Sequence, residues 1–582
     1  PADSVTLVRR LHFDLIGLPP EPEVVETFAR NPTEEAYEAI VERLLASKHH
    51  GEKMASYWLD LVRFADTVGY HGDQDHSITP YRDWVIDSFN DGLPFDQFTR
   101  EQLAGDLLPS PTIDQTIATG YNRLLQTSHE GGVQKKEYIA MYAADRVRNV
   151  SEVWMGATMG CAQCHDHPLA DWTQREFYEL AAFFGATDVS DRDPRKVGNR
   201  LKNADISKQD VIKAVAPNMA RVLTKSTQNL KFPDDYAYDD VKPGSPVEPL
   251  LFVWESGDEK GPAYQVDHKN TKTLRASFAK WLTHETNPRF PVAIANRLWE
   301  RAFGLGVKEP LDDLDDLSKS SNPALLALLG QIMVKSDFDL REFQRVLFNS
   351  KAYQAKSSVS PPIGELDDYL FPGPLLRRMT AEQTWDSILS LVLGEKLDSY
   401  KIDRSHRVTR YDFPYDKMSP ENVSKVVLAM KKSGHLDKDV GNRLSEKDYV
   451  EGKRPPKIGS EFLLRASEMN QPARDDHFLR MFGQSSRELV NDSSSEGSIP
   501  QTLMLMNGDV QFMLSDRQSR LSIKLKKSGG FDPAVQFLFM SFFGRPPSPD
   551  ELTAIREALQ QGMKKEDLTW ALFNSTEFLF VQ

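Results

Sequence analysis

Only two cysteines occur in 582 residues, and they stand three positions apart with a histidine directly after the second, in Cys161-Ala162-Gln163-Cys164-His165. A Cys-x-x-Cys-His unit is the arrangement that attaches a c-type haem. Its thiols add to the two vinyl groups, and the following imidazole turns onto the iron as proximal ligand. The spacing therefore predicts one covalent haem c, with Cys161 and Cys164 as attachment points and His165 as the iron ligand. Two other chemistries fit the same residue types less well. A thiol redox pair belongs in a βαβ context that is absent here. A zinc site built from Cys161, Cys164, His165 and His167 would crowd four ligands into seven residues, a poor tetrahedral cage. His167 is expected to hydrogen-bond nearby groups rather than cross to the far face of the iron.

Haem chemistry beyond simple electron carriage needs polar groups close by. Asp66, Glu130, Asp145 and Arg146 are the candidate catalytic residues, a carboxylate acting as general base and Arg146 as a contact for a haem propionate or a partner in an ion pair. The polar loop Gly69 to His76 supplies His71 and His76, and Ser128-His129-Glu130-Gly131-Gly132 supplies His129. These three histidines are candidates for a distal ligand.

The elements that must position these groups read as helix after helix, a mainly α, multi-helical fold with a small irregular or β connector between two helical domains. Asn31-Pro32-Thr33-Glu34 predicts an N-cap at Asn31, followed by an apolar face of Tyr37, Ile40, Val41, Leu44 and Leu45. Met54, Trp58, Leu61, Val62 and Ala65 make a second stripe ending near Asp66. Further helices are expected from Tyr81 to Asn90 and from Phe95 to Leu108. Another, beginning near Lys136, carries Tyr138, Met141, Tyr142, Val147, Val150, Val153 and Met155 almost into Cys161. Residues 1–184 are read as a helical cytochrome c-type domain and 185–269 as the connector, with one strand at Leu250 to Trp254. Residues 270–582 form the second helical domain. The run Asp312-Asp313-Leu314-Asp315-Asp316 lacks the alternating ligands and glycine of an EF-hand and reads as a solvated face.

A formal net charge of -14 without a basic block argues against nucleic acid, and no apolar run has the length of a membrane span. The chain opens at Pro1 with neither initiator Met nor signal peptide, which reads as a processed fragment. Because c-type attachment is made outside the cytoplasmic membrane, the motif implies a periplasmic protein.

Several stretches in one order resemble the planctomycete cytochrome c-associated proteins, in which two domains of unknown function follow one another. In the first domain these are Leu11 to Pro20, Tyr57 to Thr67, Glu101 to Leu108, Glu130-Gly131-Gly132, Asp145-Arg146-Val147 and Cys161 to Phe184. In the second they are Asn296 to Trp299 with Phe303-Gly304, Arg378 to Gln383, Leu503 to Gly508 and Phe543 to Pro547. The sequence departs from the pattern at Asn122, where many members have histidine, and at Ser493 to Ser495, where many have cysteines. An N-terminal haem module common in the family is also missing.

Three functions follow. The first is a periplasmic haem-dependent oxidoreductase with a substrate pocket beside the haem, the carbohydrate substrate being what the resemblance implies. The second is an electron-transfer or scaffold protein serving a periplasmic electron-transfer partner. The third is a haem-free hydrolase or binding module. No Gly-x-Ser-x-Gly elbow, P-loop, His-Glu-x-x-His or dinucleotide fingerprint supports a conventional alternative. A faint echo, Phe303-Gly304 with Leu347 to Ser350 against Phe543-Gly544 with Leu572 to Ser575, points to an old duplication.

Overall fold

Helix follows helix because apolar residues recur every three to four positions and short polar caps separate the runs. The computed structural model describes residues 1–68, 78–125, 135–191, 194–202, 205–227, 230–254, 261–358, 371–401, 413–415, 417–434, 453–458, 461–494 and 496–582, with positions 436 and 450 between them. The mainly α, multi-helical fold expected from the sequence is the one observed, and the strands are short antiparallel pairs.

The first half is built from α1 (Ser4–Leu15), α2 (Pro22–Arg30), α3 (Glu34–Leu45), α4 (Lys48–Leu61), α5 (Thr79–Asp91), α6 (Phe95–Ala104), α7 (Lys135–Val150) and α8 (Gln174–Ala181). Thr33, not Asn31, caps α3: its hydroxyl accepts the Ala36 N–H at 3.2 Å, while Asn31 terminates α2. One residue decides this, because only Thr33 stands three positions before an N–H that the helix leaves unpaired. The α4 stripe stops at Leu61, since Arg63 takes a left-handed conformation (φ 56°) and Phe64 N–H bonds back to Leu59 C=O at 2.8 Å.

The segment expected to be irregular carries two helices. The antiparallel strands β1 (Thr187–Asp191) and β2 (Ala220–Thr224) pair Thr187 with Thr224 and Asp191 with Ala220, and between them run α9 (Pro194–Leu201) and α10 (Lys208–Met219). Leu250 to Trp254 is not a strand. Its aromatic rings anchor instead, Phe252 on Trp172 with centroids 5.0 Å apart and Trp254 stacked on Trp281 at 4.9 Å and 9°. A continuous apolar run of five residues, Leu250 to Trp254, reads like a buried strand, but among the described residues no neighbouring strand pairs with it.

The second half contains α11 (Leu274–Leu282), α12 (Arg289–Phe303), α13 (Pro323–Lys335) and α14 (Leu340–Asn349), then β3 (Arg377–Arg378), α15 (Ala381–Leu393) and α16 (Pro420–Lys432). It ends with α17 (Ile499–Asn507), α18 (Phe531–Phe543), α19 (Lys565–Phe573) and β4 (Phe580–Val581), which pairs with β3. Packing ignores the division near residues 184 and 270. One core joins Trp58, Phe98 and Trp154 of the first half to Trp281, Phe290 and Phe303 of the second. Another joins Phe13 and Leu18 to Trp385, Phe478, Phe542 and Phe573. A small third core sets Val211 and Val215 of α10 against Val423 and Val427 of α16.

Two adjacent arginines of α1, 6% and 0% exposed, tie both large cores together. Arg9 donates to Phe542 C=O (2.9 Å) and Phe578 C=O (2.8 Å), and Arg10 donates to Tyr353 C=O, Ala355 C=O (3.0 Å) and Gln582 C=O (2.6 Å). The internal echo has a structural counterpart here. Phe303-Gly304 and Phe543-Gly544 both end a helix with a left-handed glycine, at φ 82° and 74°.

Gly156 is a third such glycine (φ 55°), and a Cβ there would lie 2.5 Å from Leu314 Cδ1. Gly156→Ala is expected to cost about 2–4 kcal/mol from backbone strain and overpacking, measured by urea unfolding. Adding Leu314→Ala should recover only the steric share.

Candidate functional site

Helix α7 does not stop at Val150. It passes into one π-helical turn, Ser151–Met155, and Gly156 then reverses the chain with Ala157 N–H bonded to Ser151 C=O at 3.0 Å. A 3-10 turn follows, Met159–Gln163. Met159 and Ala162 point inward, both at 0% exposure, and this turns Cys161 and Cys164 outward as free, exposed thiols. Cys164 N–H donates to Cys161 C=O at 3.3 Å, which fixes the two sulfurs on one turn. His165 is exposed as well, with Nδ1 2.7 Å from Asp166 C=O. A carbonyl only accepts, so Nδ1 carries the proton and Nε2 keeps its lone pair for an electrophile or metal.

Neighbouring elements hold this turn by its backbone. Gln163 C=O accepts from Gln174 Nε2 (3.1 Å) and from the Tyr178 hydroxyl (3.2 Å), both on α8. Asp166 Oδ1 accepts the Gln174 N–H at 2.8 Å, and Asp166 N–H donates to the Tyr238 hydroxyl at 2.8 Å. His167 caps its own loop: its Nδ1 accepts the N–H groups of Leu169 (3.2 Å) and Ala170 (2.9 Å).

The second half also reaches the motif. In Asp312 to Asp316, Asp315 and Asp316 are exposed, as expected of a solvated face, but Leu314 just before them turns inward and docks against the motif. Leu314 is 2% exposed and its N–H donates to Gly156 C=O at 2.7 Å, while Thr158 donates to Asp312 C=O at 3.1 Å. Asp315 accepts from the Trp172 indole at 3.1 Å and pairs with Arg289 at 2.7 Å, the guanidinium lying 5.2 Å over the Trp172 ring. The docking was not visible in the sequence, because the partners, Arg289 and Trp172, lie far away in the chain.

Electrostatics near the turn single out two residues that the sequence reading passed over. Arg148, on the last turn of α7, donates to Gln163 Oε1, and its Cδ lies 3.9 Å from where a Gly160 Cβ would stand. Burial, with Asp312 close by, pushes the Glu152 carboxyl up to about 7. A carboxylate between Ser151 and Val153 in an otherwise apolar run was the available signal for Glu152, and nothing in the spacing marked Arg148. Burial, together with Cys164, pushes the Tyr178 hydroxyl up to about 12.

The described candidate catalytic residues, Asp66, Asp145 and Arg146, each have partners of their own. Asp66, 1% exposed, accepts Gln471 N–H at 2.8 Å and takes part in the packing of the second half; burial, partly offset by Arg82, raises its carboxyl above the usual range. Asp145 pairs with Arg63 at 2.7 Å. Arg146 donates to Asn122 C=O at 3.0 Å and Tyr142 C=O at 3.3 Å, and burial, with Arg275 adding to it, lowers its guanidinium to about 10. Its printed contacts are carbonyls of the surrounding core. Glu130 and the distal candidates His71, His76 and His129 lie outside the described residues.

Among the described residues no group of three or more His, Cys, Asp or Glu side chains could hold a metal ion on protein ligands alone. The donor set at the turn is of a different kind: two free thiols on one exposed turn and an imidazole with Nε2 open. It fits a group that is bonded covalently through sulfur and brings its own four equatorial ligands.

Residues 1–189 match the PSCyt2 family, described as a protein of unknown function (DUF1549). Residues 274–559 match the PSD1 family, described as a protein of unknown function (DUF1553). No curated protein and no solved structure matches the chain. The chain thus carries in tandem, PSCyt2 before PSD1, the two domains of the planctomycete cytochrome c-associated proteins.

Proposed function

We propose that the chain is a periplasmic c-type haem protein that exchanges electrons with a periplasmic partner through a haem carried at its surface. The observation that supports this reading is the joint exposure of Cys161, Cys164 and His165 on one turn, with His165 Nδ1 already engaged by a carbonyl. Cys161 and Cys164 would hold the macrocycle by thioethers, and His165 Nε2 would ligate its iron. When bound, that group supplies one-electron redox chemistry. The protein's own residues set the conditions. Asp166 C=O fixes the imidazole tautomer, and the two bonds onto Gln163 C=O keep the turn from shifting. Arg148 offers a cation beside the turn for a propionate. Leu169, 93% exposed and four residues past His165, adds apolar surface. No helix among the described residues is long and apolar enough to cross a membrane.

A second reading, an oxidoreductase acting on a carbohydrate or related substrate, is favoured by Glu152. A carboxyl poised at about 7 in a π turn leading into the motif suits a general base. The spectrum of protein matured in a haem-attaching periplasm separates the readings. Haem that survives acid-acetone extraction and forms a pyridine haemochrome is expected. A low-spin, six-coordinate iron favours the carrier and a high-spin iron the oxidoreductase. Correctly matured protein without covalent haem would remove both.

A further inference from the structure

A cleft of ≈ 960 Å³ opens between the two halves, lined by residues of α4, α12, β3 and the first turns of α15 and α17. Most of its charged side chains are already engaged. Asp14 is held by Arg377 at 2.8 and 3.0 Å and by the Tyr353 hydroxyl at 2.7 Å. Arg378 donates to Gln501 Oε1 at 2.8 Å and Glu496 C=O at 3.1 Å, and Glu382 accepts from Gln484 at 3.3 Å.

Lys53 and Arg301 differ. Both line the cleft, and neither side chain makes a hydrogen bond or ion pair among the described residues. Arg301 is oriented by the face of Tyr57, 4.7 Å from the ring centroid, which leaves its N–H edges free. Tyr57 is 8% exposed, and its hydroxyl is buried without a hydrogen-bond partner. Such a group normally has one. The N-termini of α15 and α17, helices of thirteen and nine residues, both open onto the same space and add the positive ends of two helix dipoles. Of the lining carboxylates Asp14, Glu300 and Glu382, Glu300 alone has no side-chain partner among the described residues, and one carboxylate does not offset two cations and two helix ends.

We propose that this cleft binds a small organic or inorganic oxyanion, its carboxylate, phosphate or sulfate group held between the Lys53 ammonium and the Arg301 guanidinium. The inference is independent of any haem. The groups facing Lys53 are Asp14 from α1, Arg301 and Glu300 from α12, Arg377 from β3 and Glu382 from α15. Burial, with Arg301 adding to it, lowers the Lys53 amine to about 7. An arriving anion reverses that effect, so binding above neutral pH draws in a proton.

Titration calorimetry on the full chain, in two buffers of different ionisation heat at pH 8, tests this with citrate, inorganic phosphate and inorganic sulfate as probes. Saturable binding of at least one, with proton uptake, is expected. A response to citrate alone identifies a carboxylate ligand, and a response to phosphate or sulfate alone a phosphoryl or sulfuryl one. Lys53→Met and Arg301→Gln should each weaken binding about tenfold or more, while Lys527→Met on an exposed helix end should not. Lys53→Arg should keep binding and lose the proton uptake, and it serves in place of Lys53→Met if that variant does not fold. No saturable binding by any probe, or equal affinity in wild type and both cleft variants, would overturn the proposal.

Discussion

Arg465→Met is expected to destabilise the protein by about 3–5 kcal/mol, the cost of leaving buried carboxylates without their cation. Arg465 is 4% exposed and joins the halves. Its guanidinium donates to Asp386 Oδ2 of α15 at 3.2 and 3.3 Å, contacts Glu52 of α4 and lies 3.5 Å from Asp398. Asp386 and Glu52 are 6% and 8% exposed, so water cannot replace the lost partner. His49 completes the cluster, with Nδ1 2.8 Å from Glu52 and Nε2 3.2 Å from Asp398. Methionine keeps the stem's packing and removes only the charge. Urea unfolding at neutral pH would measure the loss, and a change under about 1 kcal/mol would mean that the cluster is solvated in solution.

The same cluster gives the effect a pH signature. Burial raises the Glu52 carboxyl, but Arg465 and His49 outweigh it and bring the group down to about 2. Its contribution is therefore present above the ordinary glutamate value and lost as pH falls toward 2. Burial lowers His49, but hydrogen bonds to Asp398 and Glu52 outweigh it and raise the imidazole above its usual 6.5. That contribution is complete below 6.5 and lost as pH rises through the raised value. Wild type should thus be most stable in mildly acidic solution, and the gap to Arg465→Met should narrow as pH falls from about 4.5 toward 2.

The second large effect concerns the thiols. Cys161→Ser with Cys164→Ser is expected to abolish covalent haem altogether, seen as loss of haem staining on a denaturing gel. Each single variant should retain one thioether at reduced yield. His165→Met is expected to keep the attachment and change the iron's ligand field, seen as a shifted visible spectrum and a raised reduction potential. The exposure of the turn makes these tests clean. Neither sulfur belongs to a core, so unfolding is not an alternative explanation for lost haem.

The helical character and the long helix leading into the Cys161 turn were legible in the sequence, because each rests on local spacing. What was not legible depends on partners distant along the chain. Asp315 is exposed as expected, but its pairing with Arg289 and Trp172 could not be read from the sequence. The run from Leu250 to Trp254 is continuously apolar and reads like a buried strand, but its rings settled on Trp172 and Trp281. Asn31 and Thr33 are both good caps, and two residues of register chose between them. The division near residues 184 and 270 is visible in composition, yet Trp58 and Phe290 share one core across it. Lys53 and Arg301 carried no sequence signal, since what sets them apart is that neither makes a side-chain hydrogen bond or ion pair among the described residues.

The arginine pair of α1 has a kinetic consequence. Arg9 and Arg10 emerge more than 530 positions before their carbonyl acceptors at Phe542, Phe578 and Gln582. Until then two guanidinium groups must stay hydrated, and α1 cannot settle into either core without burying them unpaired. Local helices can form as the chain emerges, but closure of the two cores waits for contacts of very high sequence separation. Apolar faces of α1 such as Val8, Leu11 and Phe13 remain open throughout that interval. This apolar face is therefore expected to stay exposed to aggregation or chaperone capture until the stretch from Phe542 to Gln582 has been made.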